Sequence, residues 1–201
     1  TEVEYIESSG KQYIDTAYIP NNTTEIEVGV SGITASSFAL SSGGTWFLGG
    51  RQGYLNRAYG FYYNPSQQSF YYAFGNTMLN GKYTTLYNAY KTIKTNATGL
   101  YIDGAKVVST TLSTFMAPVS LSLFGLNNNG STISFTSFKL HYCKIWDNGI
   151  LVRDFVPVLD KDNVALYELK GKITFDDGND FESEEFMKRI DNFLKNDFSN
   201  D

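Results

Sequence analysis

The sequence predicts an all-β fold, two antiparallel sheets packed as a sandwich, closed by a short C-terminal amphipathic helix. Three observations lead there. The chain carries 15 Tyr, 15 Phe and 2 Trp among abundant Thr, Ser, Asn and 18 Gly, the usage of twisted strands joined by tight turns. Between Glu2 and Phe175, alternating or wholly apolar runs are broken by turn clusters at short, regular intervals. Two breaks carry hairpin chemistry: Asp103-Gly104 lies between Leu100-Tyr101-Ile102 and Lys106-Val107-Val108, and Asp147-Asn148-Gly149 between Lys144-Ile145-Trp146 and Ile150-Leu151-Val152. Both tolerate the positive φ angles of a type I′ turn.

The remaining breaks fall at Ser8-Ser9-Gly10, Pro20-Asn21-Asn22, Ser41-Ser42-Gly43-Gly44, Asn64-Pro65-Ser66, Asn80-Gly81 and Asn127-Asn128-Asn129-Gly130. Expected strands run from Thr24 to Val30, Phe38 to Leu40, Trp46 to Gly49, Gly60 to Tyr63, Phe70 to Phe74 and Thr84 to Lys91. They continue from Lys94 to Ile102, Ala105 to Thr111, Val119 to Gly125, Ser134 to Trp146 and Ile150 to Pro157. No repeat of propeller or solenoid length is visible. From Glu182 the pattern changes, with Phe186, Ile190, Phe193 and Leu194 at helical spacing, acids opening the run and Lys195 closing it. The expected organisation is one sandwich domain over 1–175 and an acidic helical extension over 176–201.

Composition excludes several function classes. A chain of 201 residues with 42% hydrophobic and 18% charged residues buries a real core and is not disordered. Its net charge of −5 is uneven: from Asp176 onward nine acids face three bases, leaving twelve acids and thirteen bases before it. That distribution gives no basic footprint for nucleic acid or an anionic membrane. No apolar run is long enough to span a bilayer, so membrane insertion is not expected. The opening Thr-Glu-Val-Glu lacks the basic, then apolar, pattern of a signal peptide, as expected of a mature or excised piece. The single cysteine, Cys143, forms no intramolecular disulfide.

Several phrases occur together and in order: Glu4-Tyr-Ile-Glu-Ser-Ser-Gly-Lys-Gln-Tyr-Ile-Asp-Thr, Phe47-Leu-Gly-Gly-Arg, Tyr101-Ile-Asp-Gly, Leu123-Phe-Gly-Leu-Asn-Asn-Asn-Gly and Lys144-Ile-Trp-Asp-Asn-Gly-Ile-Leu-Val-Arg-Asp-Phe-Val-Pro. As a set they resemble the concanavalin A-like (laminin G-like) jelly-roll domains of phage tail and virion proteins and of gut-bacterial surface proteins. The resemblance covers about residues 4 to 170. It implies a jelly roll whose concave face and rim loops bind carbohydrate in many relatives, and a place on a phage virion or an extracellular or cell-surface protein. It also casts Tyr5, Ile6, Tyr13 and Ile14 as a first strand lying beside a last strand that contains Val152, Phe155 and Val156. An ion pair between Arg153 and Asp154 is expected there. The family's closing Gly-Leu-Tyr-Asp becomes Ala165-Leu-Tyr-Glu here, so the C-terminal role does not transfer.

Catalytic patterns are thin. Glu2, Glu4 and Glu7 approach the strand-borne carboxylate triplet of jelly-roll glycanases. Plain alternation, however, sends Glu7 to the face opposite Glu2 and Glu4, and the middle residue is not Asp. The lone His141 has no partner at metal or triad spacing; alternation places it with Cys143 on one face, opposite Leu140 and Tyr142. No phosphate-binding loop occurs. The chain is therefore read as a non-enzyme, with a glycoside hydrolase the least favoured alternative.

The strongest candidates for binding lie between Trp46 and Tyr72, where aromatics interleave with Gly, Asn and Gln. Sugar rings offer apolar faces to aromatic rings and hydroxyls to amides and guanidinium groups. Trp46, Arg51, Tyr54, Arg57, Tyr59, Tyr63 and Tyr71 are the candidates, joined by Asn127, Asn128 and Asn129. Geometry halves the aromatic set, since one Tyr beside Phe61 must face away from it and Tyr71 and Tyr72 must point to opposite faces. Asp15, Asn21, Asn22, Asp160 and Asp162 are candidate ligands for a calcium ion. The expected partner is a cell-surface glycan or polysaccharide. The alternative is a structural or decorating domain that contacts copies of itself or other virion or surface chains.

Overall fold

The structure, a computed structural model, describes residues 2–38, 44–53, 57–111, 113–160 and 163–169. The helix expected after residue 176 lies outside the described residues. The strands are β1 (Ile6–Glu7), β2 (Ile14–Asp15), β3 (Thr24–Ser31), β4 (Thr45–Arg51), β5 (Ala58–Asn64), β6 (Ser69–Gly75), β7 (Thr77–Lys82) and β8 (Lys91–Asn96). They continue with β9 (Gly99–Ile102), β10 (Ala105–Ser109), β11 (Ser122–Leu123), β12 (Leu126–Asn128), β13 (Ser131–Ile133), β14 (Lys139–Asp147), β15 (Ile150–Asp160) and β16 (Asn163–Glu168).

These strands make two sheets. The first runs β10-β9-β8-β3-β14-β15-β16, with β1 on β14. The second runs β13-β12-β4-β5-β6-β7, with β11 joining β4 to β2. All pairings are antiparallel except β12 beside β4, so the expected all-β, two-sheet architecture holds.

Strand periodicity sets what each sheet buries. On β5, Tyr59, Phe61 and Tyr63 point inward, and on β6 so do Phe70, Tyr72 and Phe74; all six are at most 1% exposed. They meet Ile26, Val28 and Val30 of β3, Ile93 of β8, and Leu140, Cys143 and Ile145 of β14 in one continuous core. A buried phenol must still satisfy its hydroxyl, and here the tyrosines bond across the gap. Tyr59 donates to the Thr24 carbonyl at 3.0 Å and Tyr72 to the Asn96 carbonyl at 3.1 Å, so the second sheet is hydrogen-bonded to the first through its own core residues.

Both expected hairpins are present. Ile102 pairs with Ala105 around Asp103 (φ 51°) and Gly104 (φ 80°), and Asp147 pairs with Ile150 around Asn148 (φ 49°) and Gly149 (φ 77°). Other expectations are corrected. Asn80-Gly81 does not break the chain but lies within β7, where the missing Cβ lets the Val107 carbonyl of β10 approach. The run from Lys94 to Ile102 is two strands folded back at Ala97-Thr98, and Thr84 to Tyr90 is not strand. The N-terminal segment is split between the sheets, because Ile6 pairs with Leu140 while Ile14 pairs with Leu123. Arg153 and Asp154 take different partners: Glu168 at 3.5 Å and Lys144 at 3.8 Å.

β4 and β5 approach closely where two glycines face each other. Gly60 (φ +135°) sits opposite Gly49, and a Cβ there would fall into the Leu48 carbonyl. Gly130 (φ +89°) has open space around the same position. Gly60→Ala is therefore expected to lower unfolding free energy by about 2–4 kcal/mol, and Gly130→Ala by about 1 kcal/mol from backbone strain alone. Urea titration of both variants checks this, and equal losses would show that the crossing is not tight.

Candidate functional site

The alternation that buries Phe61 and Tyr72 sends Tyr62 and Tyr71 to the outer face of the second sheet. Tyr62 is cross-strand neighbour to both Trp46 and Tyr71, and Tyr71 to Asn80, which puts a row of three aromatic rings and an amide across β4–β7. The Tyr62 and Tyr71 rings stack at 4.7 Å with 7° between planes, and the Trp46 indole is 5.1 Å from Tyr62. Both tyrosines are half-buried. Tyr71 donates its hydroxyl hydrogen to the Gln67 side-chain oxygen.

The neighbouring row is nearly bare, with Gly49, Gly60, Ala73 and Met78 in register. Small residues there let Trp46 lie down over the sheet: a Cβ on Gly49 would be 2.6 Å from the indole Cε3. Trp46 thus packs with Ala58, Ala73 and Leu126, flanked by Tyr62 and Met78, in a second apolar cluster outside the main core. The Arg51 guanidinium stands 5.8 Å from the Trp46 ring, and its Nε donates to Asn128 Oδ1 at 3.3 Å. Parallel pairing of Asn128 with Arg51 supplies that contact.

The expected site residues therefore divide. Trp46, Arg51, Tyr71 and Asn128 come together on this face. Trp46 is only 3% exposed and forms the floor rather than an open platform. Tyr59 and Tyr63 are corrected to core positions, since they share a face with Phe61 and their hydroxyls bond to Thr24 and Tyr83 carbonyls. Arg57 is exposed just before β5, with its backbone N–H bonded to Asn76 Oδ1 at 2.9 Å. Asn127 is buried and holds the β12–β13 turn, bonding the Ser120 carbonyl at 3.0 Å and the Gly130 N–H at 2.8 Å. Asn129 is exposed at the turn itself, with φ 57°. Tyr54 lies outside the described residues.

Tyr62, the Tyr beside Phe61 that alternation turns outward, completes the face with Asn80, Met78 and Leu126, which the sequence does not single out. The register of Tyr62 against Tyr71 was the signal, because any residue paired with an outward Tyr also points outward.

Among the described residues the calcium candidates are apart, with Asp15 paired with Ser122 and Asn21 with Met116. Asp15 accepts the Ala17 N–H at 2.9 Å, and the Asn21 amide donates to both Asp147 oxygens at 3.2 Å. The Asp160 side chain and Asp162 lie outside the described residues. Among the described residues no group of three His, Cys, Asp or Glu is placed to hold a metal ion. Glu2 and Glu7 lie along the first sheet, paired with Val158 and Lys139, away from the aromatic row. A β-bulge between Leu140 and Tyr142 breaks the alternation. His141 consequently faces outward against Tyr5, Tyr90 and Ser31 Oγ, whereas Cys143 is fully buried. The two do not share a face, and burial pushes the Cys143 thiol well above its usual range.

Burial also raises Tyr59 and Tyr72 well above the ordinary phenol range and pushes Tyr63 up to about 12. Above pH 10 the unfolded chain releases tyrosine protons that the folded chain keeps, so the tyrosine contribution to stability is full below that pH and falls as pH climbs from 10 through 12. Each such tyrosine contributes a slope of at most about 1.4 kcal/mol per pH unit. Because the buried Cys143 thiol resists ionisation in the same way, urea midpoints should begin to fall above about pH 8.5 and drop steeply by pH 11 as the tyrosines join it; equal midpoints at 8 and 11 would contradict the buried placement.

Comparison with protein-family models and with curated proteins found no match.

Proposed function

We propose that the chain is a non-catalytic, lectin-like module with a concanavalin A-like jelly roll, carried by a phage virion or bacterial surface protein and used to attach to cell-surface glycan. The observation that carries this reading is the outward Tyr62–Tyr71 pair, stacked at 4.7 Å beside Trp46, with Asn80 and Gln67 at Tyr71 and with Arg51 and Asn128 further along the same face, on the Trp46 side. An aromatic surface of this kind takes the apolar face of a sugar ring, while the amides and guanidinium meet its hydroxyls. A single shallow site binds weakly, so adhesion would depend on repeated copies.

The test is a glycan array probed with the multimerised chain, in calcium and then in chelator. Tyr62→Ala and Tyr71→Ala should each abolish capture while costing about 1–3 kcal/mol of stability, more for Tyr62 because its ring also packs on Trp46. Trp46→Ala should instead lower stability by about 3–5 kcal/mol, so it does not separate binding from folding. Unchanged capture in both tyrosine variants would remove the site.

A further inference from the structure

Among the described residues, the charge carried by β4–β7 and their connections is of one sign. Between Glu27 and Asp147 the chain has a single acid, Asp103, and that residue belongs to the first sheet, paired with Lys91 at 2.8 Å. Among the strands of the second sheet only β2 has a carboxylate, Asp15, at the far edge beyond β11. The first sheet carries both signs, with ion pairs between Glu25 and Lys94 at 2.7 Å, Asp154 and Lys144 at 3.8 Å and Glu168 and Arg153 at 3.5 Å.

The cations of the second sheet bracket the aromatic row. Arg51 ends β4 and Arg57 immediately precedes β5, so both stand at one end of the sheet. Lys82 ends β7 and pairs with Ser69, which pairs with Asn64 at the other end. From Ala58 to Asn64 the strand rises about 20 Å, and the Tyr62–Tyr71–Asn80 row crosses between these ends. Lys82 shares the outward register of Asn80 and Met78 and is exposed.

We propose that the saccharide taken by this face is acidic, a linear polysaccharide bearing carboxylate groups. This rests on the glycan-binding reading above and specifies its ligand class. Stacking on Tyr62 and Tyr71 holds a ring, and the planar Arg51 guanidinium, held through Nε by Asn128, is shaped for a carboxylate. Arg57 and Lys82 extend the attraction along the polymer, and β4–β7 present no carboxylate to repel it.

The experiment uses the full 201-residue chain on immobilised polygalacturonate and polysialate, each beside its methyl ester, with polyglutamate and single-stranded DNA as polyanions that lack a sugar-acid ring. At least one acidic polysaccharide should bind about tenfold or more tightly than its ester, and 0.5 M NaCl should remove most of that advantage. Arg51→Gln should lose it and Arg51→Lys recover part; Lys82→Gln, at an exposed site, should cost up to about fivefold without affecting folding. Equal binding to acid and ester would overturn the acidic assignment and leave the glycan reading standing. Equal or tighter binding to polyglutamate or DNA would overturn it in favour of a general polyanion surface. Binding to no saccharide by a folded chain would overturn both.

Discussion

Tyr59, Phe61 and Tyr63 on β5 and Phe70, Tyr72 and Phe74 on β6 all project into the gap between the sheets, and a strand has only two faces to offer. With every second residue committed to the core, Tyr62 and Tyr71 have no inward alternative. Register between β5 and β6 then sets them side by side, and a slip of one residue would exchange core and surface on both strands. The candidate site is in this sense the reverse of the core. The hydroxyl bonds of Tyr59 and Tyr72 to Thr24 and Asn96 pin that register, because a slipped strand would bury phenols without acceptors.

Small residues do as much as large ones on the outer face. Gly49, Gly60, Ala58 and Ala73 leave a flat strip that the Trp46 indole covers, which makes Trp46 part of the fold and leaves Tyr62 and Tyr71 as the accessible rings. Arg51 is placed by the parallel β12–β4 pairing, which carries Asn128 to its Nε. The two sheets also differ in how they treat charge. The first carries acids and bases together, several of them in ion pairs, and the second carries cations around an aromatic row. Attraction of an anionic polymer to such a face needs no net positive charge on the whole chain, since the field near the surface follows local groups within a Debye length of about 10 Å.

Much of this was legible in the sequence, and the rest failed for identifiable reasons. The Asp103-Gly104 and Asp147-Asn148-Gly149 hairpins carry their own backbone requirement, so their turns could be placed directly. The opposed facing of Tyr71 and Tyr72 followed from alternation alone. Tyr59 and Tyr63 read as binding candidates because aromatic content does not reveal which phase of a strand faces inward. Asn80-Gly81 looked like a turn, yet its glycine serves the approach of Val107 from the other sheet, a contact distant in sequence. The bulge at His141 shifts the phase of β14 without any glycine or proline to announce it, and it separates His141 from Cys143. Trp46 looked accessible because nothing local shows that three small residues on neighbouring strands give its ring somewhere to lie.

The central claim is that saccharide binds the outer face of β4–β7 by stacking on Tyr62 and Tyr71. Its most direct test is amide and aromatic-ring shift mapping of the isotopically labelled chain, titrated with polygalacturonate oligomers. The account predicts saturable shifts in the Tyr62 and Tyr71 rings and in the amides of Arg51, Asn80 and Asn128, with the buried rings of Tyr59, Phe61 and Phe70 little changed. Saturable shifts confined to the first sheet, with Tyr62 and Tyr71 silent, would contradict it.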